Sequence, residues 1–315
     1  MNYMRVITLS RVFLVVSAVA VPAHAADVSV NCSARKNNSI NAALAILIKG
    51  GPNTVRVSGI CNEAVAISGF DRLTLIGNPT ATINDPTPNQ GSDEDTSVVS
   101  IFDSDRVVVQ GITVNGGAEG IGCTGFSVCR LQDVHVQGSL GNGVNFARSS
   151  GFVVDNTVIE NNAENGLAVV NGSNVSLFPS TDTAPVPIIR DNTGGGVSVN
   201  DDSHFSLIGT VRDNGGDGIV ADRSANLRLI GATVTGNGGR GLFLRASTAR
   251  IQTTSITGNT GNGIEVANLS LARIQGGNTV AGNGTWDVNC SSATAVTLGI
   301  LNLIGADTNC VEPAP

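Results

Sequence analysis

Asn214-Gly215-Gly216-Asp217-Gly218-Ile219-Val220-Ala221 returns as Asn237-Gly238-Gly239-Arg240-Gly241-Leu242-Phe243-Leu244, and again as Asn259-Thr260-Gly261-Asn262-Gly263-Ile264-Glu265-Val266. Outward from this phrase, its second-half glycine recurs at Gly120, Gly143, Gly166, Gly196, Gly218, Gly241 and Gly263, with Thr285 in the last slot. The steps are 23, 23, 30, 22, 23, 22 and 22 residues. Behind each comes an alternation of apolar and variable residues, such as Val144-Asn145-Phe146 or Leu167-Ala168-Val169, which reads as a short strand with one face in and one out. Four residues ahead of the glycine stand Asn162, Asn192, Asn214, Asn237 and Asn259. A turn recurs there, and asparagine tolerates the left-handed backbone that a turn asks for.

A period of about 22–23 residues is too short for two helices and fits one coil of three short strands in a parallel β-solenoid. One coil cannot bury its apolar side alone. Stacking at roughly 4.8 Å pairs every backbone group with the coil above and below and lines like side chains into ladders, of which the asparagine column is one. Composition agrees, with 3% aromatics, 39 glycines and a bias to small aliphatic and hydroxyl residues.

Residues 1–25 read as an export signal, with Arg5 and Arg11 at the positive end, an apolar run from Val12 to Val21, and Ala23-His24-Ala25 as the cleavage site. The run is too short to span a bilayer, so no membrane insertion is expected after cleavage. Without Arg5 and Arg11 the chain keeps 16 basic and 25 acidic residues, a net charge of −9. That balance argues against nucleic acid or an anionic membrane as partner. Six cysteines in the exported part fit disulfides in a secreted or periplasmic protein. Proximity along the chain favours Cys32 with Cys61, Cys123 with Cys129, and Cys290 with Cys310.

The mature chain divides into an N-terminal cap over 26–50, the solenoid over 51–289 and a disulfide-clipped cap over 290–315, in one elongated, monomeric unit. Ser39 can cap a helix from Ile40 to Lys49, with Ile40, Leu44, Leu47 and Ile48 on one side, closing the first coil. Counting by the repeat puts Cys123 level with an inward Phe146 and Cys129 level with an inward Phe152. The long coil holds Phe178-Pro179 to Pro185-Val186-Pro187 and should throw out a loop. Glu160, Arg190 and Arg212 share one slot and read as an ion-pair ladder, and His135 points outward. The letters from Gly120 to Gly125 match a dinucleotide fingerprint, but no helix pattern follows them.

The repeat, the asparagine column, the helix before the first coil and the clipped tail resemble the right-handed parallel β-helix proteins of the pectin-lyase-like superfamily. The resemblance covers nearly all of the mature chain. It implies an all-β, single-stranded, right-handed parallel β-helix with three strands per coil and an N-terminal capping helix. It also implies that a sugar chain runs along the sheet holding Phe152, Phe205, Leu227 and Ile251. The turns and strands of that sheet offer Asp201, Asp202, His204, Asp222, Arg223, Arg228, Arg245 and Arg250 as substrate-binding residues: carboxylates can move a proton or hold a cation, and arginine forks bind uronate carboxylates.

The superfamily's catalytic signatures are missing. The Arg-Ile-Lys segment of its pectin hydrolases needs a late lysine, and the only lysines are Lys36 and Lys49. The Asp-Pro-His-Asp of alginate epimerases fails because Asp85-Pro86 is followed by Thr87. The leading expectation is therefore carbohydrate binding without a required cofactor. Calcium is the ion that the loop carrying Asp93, Glu94 and Asp95 could collect. The alternatives are a divergent polysaccharide lyase or epimerase, and a non-catalytic structural or protein-binding envelope protein.

Overall fold

The computed structural model describes residues 25–88, 97–299, 303 and 306–311. The export segment and the acidic loop with Asp93, Glu94 and Asp95 lie outside them. All strand pairing is parallel and runs from one coil to the next. In the coil containing Asn237, the first strand is Asn226–Ile230, the second Thr233–Thr235 and the third Leu242–Arg245. First and second strands merge into a 19-stranded sheet and third strands form a 10-stranded one. The merger comes from the early coils, where Asn53–Asn62, Leu73–Asn84 and Val107–Asn115 pass through both positions without a turn. Inward residues such as Val211, Leu229, Ile251 and Ile264 are fully buried and form one continuous apolar core.

The asparagine ladder is present in full. Asn237 Oδ1 accepts from both the backbone N–H (3.2 Å) and the Nδ2 (3.0 Å) of Asn214, one coil below. Its own Nδ2 donates to Asn259 Oδ1 at 2.9 Å and to the carbonyl of Thr235 at 3.3 Å. The ladder also continues to Asn283, 24 residues beyond Asn259, which the count by 22 had passed over. The left-handed residue of each turn is not the ladder asparagine but the one before it: Asn161, Asp191 and Asp213 have φ of 56°, 53° and 55°. Ladder asparagines keep ordinary φ so that the amide can reach both its own turn and the next coil. The glycine four residues later is required by close approach: a Cβ on Gly218 would meet Asn237 Nδ2 at 2.8 Å and the Gly241 carbonyl at 2.7 Å.

Three register expectations change. In the last coil Val288 pairs with Ile264 and Cys290 with Val266, two residues out from the slot that put Thr285 level with Gly263, because one extra residue enters between Ala267 and Leu271 and a second between Ile274 and Thr279. Cys129 is level with Gly151, and Phe152 is level with Arg130 and points outward. The Phe146 ring fills the space into which a side chain at Gly151 would project, so the inward position there is a glycine. The capping helix spans only Ile40–Ala45; Ile40, Ala43 and Leu44 are buried, whereas Ile46 and Ile48 lie outside the core. Glu63 ends the matter at its start, accepting from Ser39 Oγ and the Ile40 and Asn41 amides. Disulfides join Cys32 to Cys61, Cys123 to Cys129, and Cys290 to Cys310. Among the described residues no helix is long and apolar enough to cross a membrane.

Replacing Asn237 with alanine strands buried donors and acceptors in two coils, each worth roughly 1–3 kcal/mol. Asn237→Ala should therefore lower the unfolding free energy from urea titration by roughly several kcal/mol, with a matching fall in midpoint, whereas Arg223→Ala, at an exposed pair, should lower it by under about 1 kcal/mol. Equal midpoints for the two variants would refute the ladder as the main tie between coils.

Candidate functional site

The first-strand sheet has an outer face of three rows, because outward residues alternate along each strand. The edge row holds Ser150, Asn174, His204, Asn226, Thr248 and Leu271. The middle row holds Phe152, Ser176, Ser206, Arg228, Arg250 and Arg273. The turn leading into these strands is fixed by a second ladder, which the sequence reading missed. Ser127, Ser173, Ser203, Ser247 and Ser270 are buried, and each hydroxyl accepts from a backbone N–H one coil below, as Ser203 Oγ does from Ser173 at 3.1 Å. The signal was available: Ser127, Ser149, Ser173, Ser203, Ser247 and Ser270 recur with the coil period.

The eight residues singled out in sequence fall into two arrangements. Along the turn edge, carboxylates and guanidiniums zip together across coils. Arg223 holds Asp201, and Arg245 holds Asp222 through Nε at 2.9 Å and a second bond, while on the asparagine-ladder turn Arg240 holds Asp217 at 2.7 Å. Asp222 is buried and also accepts the Arg223 backbone N–H at 2.8 Å. The Arg245 hydrogen bond, set against desolvation and helped by the Arg223 amide, holds its carboxyl below the ordinary carboxylate range. The same contacts raise Arg245 and, through Asp201, Arg223. Asp202 is exposed beside this zipper with φ of 57°.

On the sheet face itself the arrangement differs. Arg228, Arg250 and Arg273 stack in consecutive coils, Arg228↔Arg250↔Arg273 in register, and line a shallow recess of about 390 Å³ with Asn226, Thr248 and Leu271. None of the three meets a carboxylate among the described residues. Arg250 is oriented instead by amide oxygens, donating from Nε to Gln275 Oε1 at 2.7 Å. Arg273 was missed in sequence although it lies 23 residues after Arg250 and 45 after Arg228, the same slot in the third coil. His204 is exposed on the edge row, one coil below Asn226.

Charge is thus partitioned by position. Arg56, Arg72, Arg106, Arg190, Arg212, Arg223, Arg240 and Arg245 all pair with Asp or Glu. Within the coils, the arginines without such a partner are Arg130, Arg228, Arg250 and Arg273 on this face and Arg148 on the turn that enters it. The expected Glu160, Arg190 and Arg212 ladder is only half formed: Glu160 bonds Arg190 at 2.6 Å and His135 Nε2 at 2.8 Å, while Arg212 turns to Asp213. As for metals, the described residues gather three potential ligand side chains only at Cys32, Cys61 and Glu63, where both sulfurs are in a disulfide.

A family model described as a right handed beta helix region matches residues 187–299. No curated protein matches the chain. Among solved structures, the A-module of the Azotobacter vinelandii mannuronan C-5 epimerase AlgE6 aligns at 15% identity with a TM-score of 0.56, over 84% of this chain and 88% of that one. Pectate lyase Pel9A aligns at 11% identity and TM-score 0.55, over 84% and 79%. A mutant of the periplasmic alginate epimerase AlgG aligns at 11% and 0.57, over 79% and 73%. Likeness at these identities is one of fold, and the fold is the right-handed parallel β-helix.

The Asp222 contacts carry a pH signature. A carboxyl whose folded pKa is depressed adds stability that is complete above its unfolded pKa of about 4 and is lost as pH falls through the folded value. Melting temperature should therefore hold from pH 7 to about 4 and drop below. Asp222→Asn should melt lower at neutral pH and show a smaller acid drop than the parent. Parallel curves for the two proteins would mean Asp222 contributes nothing.

Proposed function

We propose that the protein is an exported β-helix that binds an acidic polysaccharide along the outer face of its first-strand sheet. The observation that carries this reading is the unneutralised row of Arg228, Arg250 and Arg273, in a chain that is acidic overall and pairs eight of its coil arginines with Asp or Glu. Like charges stacked directly opposite one another repel, by up to about 1 kcal/mol for each neighbouring pair in water. A row of carboxylates along a ligand relieves that repulsion. Guanidinium is the group suited to it, since its planar fork binds a carboxylate through two parallel hydrogen bonds. The coil rise is also close to the length of one pyranose unit, so successive arginines can meet successive uronate residues. Mannuronan and pectate, named for the enzymes of like fold, are polymers of that type. Export is supported by the N-terminal sequence and the three disulfides.

Holding is favoured over proton transfer because Asp201 and Asp222, two of the carboxylates beside the face, are each bound by an arginine. A lyase or epimerase reading keeps two neighbours in its favour, the exposed Asp202 carboxylate and the exposed His204 imidazole on the edge row. Abstraction of a proton beside a uronate carboxylate needs such a base and a cation to hold the developing charge. Ultraviolet absorbance of unsaturated uronates, followed on pectate and alginate with and without calcium, separates the two readings: binding with a flat trace and unchanged epimer ratios is the expected result.

Binding to pectate or alginate should weaken as salt rises from 0.05 to 0.5 M, because exposed charges are screened over about 10 Å or less. Replacing Arg228, Arg250 and Arg273 together by glutamine should reduce affinity by about a hundredfold or more at low salt while leaving the melt unchanged. Parental affinity in that variant, or a parent that captures no acidic polysaccharide, rules the reading out.

A further inference from the structure

The middle row of arginines does not face the ligand alone. Two residues further along each first strand lies a third outward row, and it is apolar: Phe178, Ile208 and Ile230, one residue beyond the paired Leu177, Leu207 and Leu229. Phe152 in the middle row joins them, its ring set edge to face on Phe178 with centroids 5.9 Å apart. Phe152 is 41% exposed and Ile208 37% exposed, and neither is needed to fill the core. Phe178 also opens the 179–187 loop, in which Ser180 is tied to Asp155 by a 2.7 Å hydrogen bond.

Consecutive outward residues on one strand stand about 6.5–7 Å apart. A chain whose carboxylates reach Arg228 therefore passes over or beside Ile230. Further down the face, the middle-row positions level with Arg228 become Ser206 and Ser176, and then Phe152. Between Arg228 and Arg130, which follows Phe152 in the same row, the middle and third rows carry no cation and the surface is hydroxyl and apolar. A uniformly charged ligand gains nothing there. A pyranose ring does, because its C–H face is apolar and packs on aromatic and branched aliphatic side chains while its hydroxyls stay in water.

We propose that Phe152, Phe178, Ile208 and Ile230 form a second subsite that takes the C–H faces of sugar rings, so that the chain is held by charge over the Arg228, Arg250 and Arg273 row and by ring packing over this ledge beside it. This rests on the acidic-polysaccharide reading above and deepens it. From the Phe152 strand to the Arg273 strand the face spans five coil steps, roughly 24 Å at about 4.8 Å each. The bound length is then about six sugar units, three over the arginines and three over the ledge.

The test uses the full mature protein with oligogalacturonates and oligomannuronates of three and six units, measured by calorimetry at several salt concentrations. Phe152→Ser combined with Ile208→Ser changes exposed residues, and an unchanged thermal melt verifies folding. The double variant should bind the hexamer about tenfold more weakly, in line with the apolar area it removes. It should bind the trimer as the parent does and keep the parent's salt dependence. Arg250→Gln should weaken both lengths and flatten the salt dependence. Parental hexamer affinity in the double variant overturns the ledge and leaves the arginine reading standing. Parental affinity in Arg250→Gln together with a weakened double variant overturns the arginine reading and keeps the ledge. Hexamer affinity no better than trimer affinity in the parent overturns the ledge as well, and no binding of either series overturns both.

Discussion

The carboxamide of each ladder asparagine is the constraint on which the coil geometry depends. It is one of few neutral groups that can accept from two donors and donate in two directions within a single turn. Asn214, Asn237 and Asn259 use that capacity fully, each receiving a backbone N–H and an amide N–H from the coil below and donating to the coil above and to its own turn. The turn is buried, so every unmet bond there would carry the full cost of desolvation. Aspartate could not replace it, having no proton to donate upward when ionised. The glycine four residues on follows from the same constraint, since the ladder amide of the next coil occupies the place of its Cβ.

Much of this was legible because a solenoid converts sequence period into spatial neighbourhood. The asparagine column, the inward residues of the third strands and all three disulfides could be read by counting. Counting failed where the coil changes length or where one side chain takes another's space. The slip at Val288 arises from single extra residues in the two turns before it, at 268–270 and 275–278, so that the ladder residue Asn283 sits 24 rather than 22 residues on. Phe152 was placed inward by an unbroken alternation, but the ring of Phe146 already fills that volume, so Gly151 faces in and the phenylalanine faces out. No local pattern encodes that competition, because the two residues meet only through packing.

The candidate site shows the same division. Sequence alone gathered eight charged or polar residues around one sheet and its entering turns as one mixed-charge group, although Asp222 and Arg245 end third strands of the other sheet. Structure separates them by backbone position. Asp201, Asp222, Arg223 and Arg245 stand at turn and strand ends, where neighbouring coils present opposite charges and the pairs close on themselves. Arg228 and Arg250 stand mid-strand, where register places arginine against arginine and Arg273 continues the series. A residue's neighbour one coil away, 22 or 23 positions distant, decides whether its charge is spent internally or left for a ligand.

That distinction bears on how a β-helix can acquire specificity without remaking its core. Inward positions are tied to the stack, and the serine and asparagine ladders hold both flanking turns, so the outward side chains of the first strands ride on a backbone that does not depend on them. Substitution there changes the face at one coil only, in steps of roughly 4.8 Å. A graded series such as Phe152, Ser176, Ser206, Arg228, Arg250 and Arg273 can then be matched to a linear polymer unit by unit. The repulsion within the arginine segment costs little next to the stability of the surrounding coils, because exposed charges in water interact weakly. It is therefore tolerable in the empty protein and available to be relieved by an anionic chain.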